Sequence, residues 1–341
     1  MPSAANARGL DLARHTFRPA FRGDYRGGQL GVYTRGMNRH IIGLYALALA
    51  AGAALLSACS ANGTAGSSPL PDVRRSWVDA VPKSQALLYV SDIATNLVDI
   101  FTYPSGAKVG SLSGFGAVAG LCSDKAGDIF VVDEAGPVQM FAHGGTSAIR
   151  KLTTTGAPYG CAVDPVTGNL ALTNLSSYLY GALDIYPKAK GSPKQYNDPS
   201  QIDSTYFCAY DSSGNLYIDG WDRSAKFIFI KLPKGGKSLG VTELNLKMSS
   251  PAGVQWDGTY VAMGDKGTGH VYRVTTSGAI KGTVALKGGT NVMAFWLDGS
   301  TLIGPNFSGG GPVGVWKYPA GGSPTKTIKG SQEPFAATLS L

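Results

Sequence analysis

The chain has 341 residues, a formal net charge of +8, 47 glycines and only 15% charged residues. It is long enough to bury a sizeable core, and its 43% hydrophobic and 10% aromatic content excludes a disordered chain. Abundant glycine with little charge suits a turn-dense β protein better than a helical one.

The positive charge is concentrated at the N-terminus. Residues 1–58 hold seven arginines (8, 14, 18, 22, 26, 35 and 39), no lysine, and the two acids Asp11 and Asp24, for a net +5, which leaves residues 59–341 with +3. That remainder has scattered lysines and no basic block, so no nucleic-acid partner is expected. The leader itself reads as a secretion signal. "RGMNRH" is a basic stretch with Met37 a plausible true start, and "IIGLYALALAAGAALL" (Ile41–Leu56) is an apolar run. The alternative is a transmembrane helix, but the run falls short of the roughly 20 residues that span comfortably. It ends in Leu56–Ser57–Ala58–Cys59, which resembles the bacterial lipobox. The resemblance implies that Cys59 is acylated and becomes the mature N-terminus. Ser60 rather than Asp follows it, which by similarity to enterobacterial sorting implies the periplasmic face of the outer membrane. Residues 59–76, including "SANGTAGSSPLPD", then form a small-residue tether.

From about Trp77 to Leu341 the chain repeats. Aligning Cys122, Cys161, Cys208, Val254, Ala294 and Ala336 gives steps of 39, 47, 46, 40 and 42 residues, the length of a four-stranded propeller blade. Each unit starts with a short apolar strand and turns at Asp124, Asp164, Asp211, Asp257 or Asp298, with a glycine following. Aspartate bonds its own backbone and glycine takes positive φ, which is hairpin chemistry. Second strands ("DIFVV", "NLALT", "NLYID") and third strands ("LVDIFTYPSG", "ALDIYPKAKG", "VGVWKYPAGG") follow, then a weaker fourth. The first unit lacks its innermost strand, and "PFAATLSL" at the C-terminus is an innermost strand with nothing after it. Joining the two predicts an all-β, six-bladed β-propeller of four-stranded antiparallel blades, which removes free sheet edges.

"GAPYGCAVDPVTGNLALTN" resembles a repeat of the NHL and SMP-30/gluconolactonase-like six-bladed propellers, over roughly residues 80–341. The resemblance implies fold more than function, because this architecture hosts hydrolases, lyases, sugar binders and docking platforms.

Asp92, Asp133, Asn174, Asp219, Asp265 and Asn306 close the second strands in register. Repetition in every blade favours a structural role, capping the turn into the third strand, over a cation or polyol site. Asp203, Asn291 and Glu333 precede innermost strands on the same face. In SMP-30-like lactonases such residue types hold one divalent cation, such as calcium or zinc. Here the channel positions Leu121, Ser123, Ala162, Ala209, Phe295 and Ala337 are small or apolar, whereas a hard cation wants several oxygens. Streptogramin-lyase-like propellers use histidines on that face, but His143 and His270 read as solvated surface residues. Cys122, Cys161 and Cys208 share one slot that later units fill with Val or Ala, and are expected as buried, unpaired thiols.

The loops after the second strands carry Tyr178, Tyr180, Trp221, Arg223 and Phe307, with Tyr159 and Tyr206 beneath. Aromatics and arginine among short polar neighbours suit a recognition surface; the alternative is packing between long loops. The expectation is a monomeric, exported, lipid-anchored module binding an envelope protein or carbohydrate without a cofactor. The alternative is a divalent-metal lactonase or related hydrolase.

Overall fold

The computed structural model describes Val78, residues 81–175 and residues 181–341. Cys59, the leader, Tyr178 and Tyr180 lie outside the described residues. Six four-stranded antiparallel sheets form the six blades of a propeller. Blade one pairs Pro334–Ser340 as innermost strand with Leu87–Asp92, Leu97–Thr102 and Lys108–Leu112. Blade two is Val118–Ser123, Ile129–Asp133, Val138–Phe141 and Ala148–Leu152. Blade three is Pro158–Val163, Leu170–Asn174, Leu183–Tyr186 and Lys194–Tyr196. Blade four is Ser204–Tyr210, Leu216–Trp221, Phe227–Leu232 and Gly240–Glu243. Blade five is Pro251–Trp256, Val261–Asp265, His270–Val274 and Ile280–Ala285; blade six is Trp296–Asp298, Thr301–Pro305, Val313–Lys317 and Gly321–Ile328.

The ring closes as expected from the sequence. Leu87 pairs with Ser340, Leu88 with Leu339, Tyr89 with Thr338 and Val90 with Ala337. Strand composition follows position in the blade. The second strands Ile129–Asp133, Leu170–Asn174 and Val261–Asp265 are buried throughout, sandwiched between neighbouring sheets, and read as continuous apolar runs. Outer strands such as Gly321–Ile328 are largely exposed, which is why they read so weakly.

Two faces result. The hairpin face carries the turns from innermost to second strands, and the aspartates there work as read. Asp124 Oδ1 accepts from the Ala126 and Asp128 amides at 2.9 and 3.0 Å, and Gly127 takes φ +82°. Two of these aspartates also latch blades together: Tyr318 donates to Asp257 Oδ2 at 2.8 Å, and Tyr103 to Asp298 Oδ2 at 2.9 Å. Each tyrosine immediately follows a third strand and reaches back to the preceding blade.

The opposite face, here the mouth, carries the starts of innermost strands and the ends of second strands. Its six Asp and Asn residues are clasps of unequal reach: Asp92, Asp133, Asn174 and Asp265 hold amides of the segment leading into an innermost strand, Asp219 holds the Phe207 amide within that strand, and Asn306 holds the Ser308 hydroxyl. Asp133 accepts from Gly116, Ala117 and Ala135 amides at 2.9, 2.8 and 3.1 Å, and Asp265 from Ser249, Ser250 and Gly267 at 3.1, 3.0 and 3.1 Å. Each of these two therefore caps its own turn and also ties down the segment leading into the innermost strand of its blade.

Two expectations are corrected. Cys122 and Cys161 are not free thiols: they form a disulfide between the innermost strands of blades two and three, with Cα atoms 5.7 Å apart. Innermost strands converge so tightly that one slot in adjacent blades falls within bonding range. Gly120 shows the crowding, since a Cβ there would lie 2.4 Å from the Tyr159 carbonyl oxygen. Cys208 is the free, buried one, and desolvation pushes its thiol pKa up. Nor is His143 a solvated surface residue. Its turn folds onto the end of the innermost strand of blade one, where Nδ1 bonds Ser340 Oγ. His270 is half-buried, edge-on to Tyr272 at 6.1 Å.

Candidate functional site

One backbone device repeated around the mouth positions the side chains there. The residue after each clasp sends its amide to the segment preceding the innermost strand: Ile93 to Glu333, Glu134 to Ala117, Leu175 to Ala157, Lys266 to Ser250 and Phe307 to Asn291, at 3.1, 2.8, 3.0, 3.0 and 2.7 Å. In blade four the residue after the clasp is Gly220, and the bond is shifted by one residue and reversed, running from Asp203 N–H to the Trp221 carbonyl at 2.9 Å. The rim is therefore Ile93, Glu134, Leu175, Trp221, Lys266 and Phe307. Four are apolar or aromatic; two are charged.

Beneath the rim lies an aromatic floor. Tyr159 contacts Tyr206, Phe207 and Phe335 with ring centroids 5.8, 5.3 and 5.3 Å apart, and Phe307 meets Phe335 edge-on at 5.9 Å. Tyr159, Phe207 and Phe335 are buried. Phe207 and Phe335 also meet, with ring centroids 6.3 Å apart, so the three rings pack against one another.

Glu134 belongs to blade two and Lys266 to blade five, which stand opposite each other in a six-membered ring. Burial, with the adjacent Asp133 carboxylate adding to it, raises the Glu134 pKa to about 7. Desolvation lowers that of Lys266, whose Nζ sits 5.3 Å from the centre of the Phe307 ring. Neither forms an ion pair among the described residues. Ionisable groups held in half-buried positions, each shifted toward its neutral form, are a common mark of binding and catalytic sites. The sequence reading missed both. Their signal was positional: they alone are charged among the six residues that follow the clasps, the others being Ile93, Leu175, Gly220 and Phe307.

The residues singled out from sequence are distributed as follows. Trp221 and Phe307 stand on the rim, both half-buried against the core, with Trp221 edge-on to Phe227 at 5.7 Å. Arg223 is exposed, and its guanidinium donates to the Pro199 carbonyl at 3.0 Å, bracing a neighbouring loop. Asp203, Asn291 and Glu333 lie on the mouth face in blades four, six and one, all half-buried. Their backbone groups are taken up by the rim bonds: Glu333 accepts from Ile93, and Asn291 accepts from Phe307 while donating to Lys266. Among the described residues, no three His, Cys, Asp or Glu side chains gather as a metal site. The buried aromatic rings below offer a hard cation no oxygens beyond the Tyr159 and Tyr206 hydroxyls, where six to eight ligands are usual.

No protein-family profile and no curated protein matches the chain. Solved structures do. A Bacteroides caccae protein of unknown function aligns with a TM-score of 0.57 at 13% identity, covering 75% of this chain and 99% of its own. Virginiamycin B lyase from Staphylococcus aureus, as a catalytically inactive histidine-to-alanine variant with quinupristin, aligns with a TM-score of 0.52 at 15% identity, covering 75% of this chain and 89% of its own. At such identities the likeness is one of fold: this chain is a six-bladed β-propeller, an architecture that serves binding and enzymatic modules alike.

Proposed function

We propose that the protein is an exported propeller, lipid-anchored at Cys59 on the periplasmic face of the outer membrane, that binds a ligand or envelope protein through its mouth. The observation that carries this reading is the rim: four apolar or aromatic residues over an aromatic floor, with Glu134 and Lys266 on opposite blades. A ligand with a flat or apolar body and polar ends finds a complement there. The Leu56–Cys59 motif and the small-residue tether support the anchor.

The test substitutes the rim. Lys266→Met removes the amine and keeps the stem, so it should weaken binding while leaving the melting temperature nearly unchanged. Trp221→Ala should weaken binding by ~2 kcal/mol or more if it is an anchor, though its core contacts predict a loss of stability as well. Full affinity in both variants would refute the reading. For the anchor, Cys59→Ser should abolish incorporation of labelled palmitate; an unacylated wild-type protein would contradict it.

The second reading is a divalent-metal lactonase or hydrolase of SMP-30-like type. It is favoured by the presence of Asp203, Asn291 and Glu333 on one face, and it predicts that Glu333→Gln and Asp203→Asn abolish metal uptake and turnover.

A further inference from the structure

The hairpin face carries a cleft whose lining shares no residue with the rim of the mouth. The cleft, of about 400 Å³, is lined by Ser123, Lys125, Tyr210, Gln255, Trp256 and Trp296, among others. It shares Ser123, Lys125 and Trp296 with a neighbouring hollow of about 790 Å³. Volumes of this order suit small ligands.

Its aromatic residues are placed by the repeat. Tyr210, Trp256 and Trp296 each stand two residues after the aligned positions Cys208, Val254 and Ala294; Tyr210 and Trp256 end the innermost strands of blades four and five, and Trp296 opens that of blade six. The same position holds Asp124, Val163 and Thr338 in blades two, three and one. A feature needed to build the ring would recur in all six blades. This one occupies three successive blades, the asymmetry a binding site requires. All three aromatics are half-buried. Trp256 is held flat, stacked on Tyr217 at 6.3 Å and 14°, with Tyr217 in turn stacked on Phe229 at 5.6 Å and 18°.

The polar groups indicate what such planes would meet. The nearby carboxylates are occupied by their own turns. Asp211 accepts from the Ser213 and Asn215 amides, the Asn215 side chain and the Tyr217 hydroxyl. Asp164 accepts from the Val166 amide and the Thr167 hydroxyl. Gln255 and Ser123 supply neutral donors and acceptors, and Lys125 one exposed ammonium. Aromatic planes beside neutral hydrogen-bonding groups fit a sugar ring, whose C–H face is apolar and whose edge is hydroxylated. We propose that this cleft binds a neutral oligosaccharide, with sugar rings packed on Trp256 and Trp296 and hydroxyls bonded by Gln255.

The experiment is calorimetric titration of the full-length protein, in detergent, with maltohexaose, cellohexaose and the hexamer of N-acetylglucosamine. Saturable binding of at least one is expected. Trp256→Ala or Trp296→Ala should weaken it about thirtyfold, and Gln255→Leu, the variant least disturbing to packing, should weaken it about tenfold through loss of one hydrogen-bonding amide. Lys266→Met, on the opposite face, should leave it unchanged, so failure here is distinct from failure of the mouth. No binding of any of the three sugars, or binding that survives all three cleft substitutions, would overturn the proposal; so would binding abolished by Lys266→Met.

Discussion

Glu134→Gln should make the protein more stable at pH 8 and nearly neutral in effect at pH 4. The side chain sits at the rim with its charged form penalised first by desolvation and then by the neighbouring Asp133, which raises its pKa from 4.5 to about 7. Asp133 cannot relieve this, because its own oxygens are fixed by three backbone amides. A carboxyl that holds its proton more tightly when folded contributes fully below its unfolded value of 4.5, and that contribution is lost as pH rises through about 7. At about 1.4 kcal/mol per pH unit, the full difference is roughly 3 kcal/mol. Partial solvation of the rim reduces this to about 2 kcal/mol. Urea unfolding of wild type and variant between pH 4 and pH 8 measures it, and subtracting one curve from the other cancels every group they share. The variant should gain about 2 kcal/mol on wild type over that range. A difference that stays flat would show that Glu134 is well solvated and would remove it from the site.

Three further outcomes follow from the fold. Replacing Cys122 and Cys161 by serine opens a loop of 39 residues and should cost about 4 kcal/mol by chain entropy; thiol titration of the unfolded, unreduced wild type should find Cys208 reactive and this pair not. Asp219 is fully buried with its pKa raised by desolvation, and Oδ1 accepts from the Phe207 amide at 2.7 Å. Asp219→Asn should therefore fold normally and outlast wild type as pH rises, whereas Asp219→Leu should lose about 1–3 kcal/mol by leaving that amide unpaired; chemical denaturation distinguishes them. Deleting Pro334–Leu341 removes the innermost strand of blade one and should abolish soluble, folded protein, and a truncation melting within a few degrees of wild type would contradict ring closure.

The architecture was legible because each blade repeats the same local chemistry. Asp124, Asp164, Asp211 and Asp257 announce hairpins through their own side chains, and the largely apolar second strands announce burial on both faces. Blade number followed from spacing, and closure from the unpaired "PFAATLSL". What escaped were contacts between blades. Cys122 and Cys161 read as equivalent core fillers because their proximity exists only once innermost strands converge on an axis. His143 read as a loop residue because its partner, Ser340, is 197 residues away. Glu134 and Lys266 were hidden for another reason: a single Glu after Asp133 and a single Lys after Asp265 look like ordinary solvated charges until the ring sets them on opposite blades of an aromatic mouth. Trp221 and Phe307 read as loop aromatics, for recognition or for packing between loops; that they pack against the main core was not legible, because the partners come from distant strands.

The most direct test of the mouth as a binding site is native mass spectrometry of the full-length protein released gently from its own membranes. The account predicts a species heavier than the acylated chain by one organic ligand or bound partner, and loss of that increment in Lys266→Met. An increment equal to a single divalent metal ion, retained in Lys266→Met and lost in Glu333→Gln, would contradict it and establish the hydrolase reading instead.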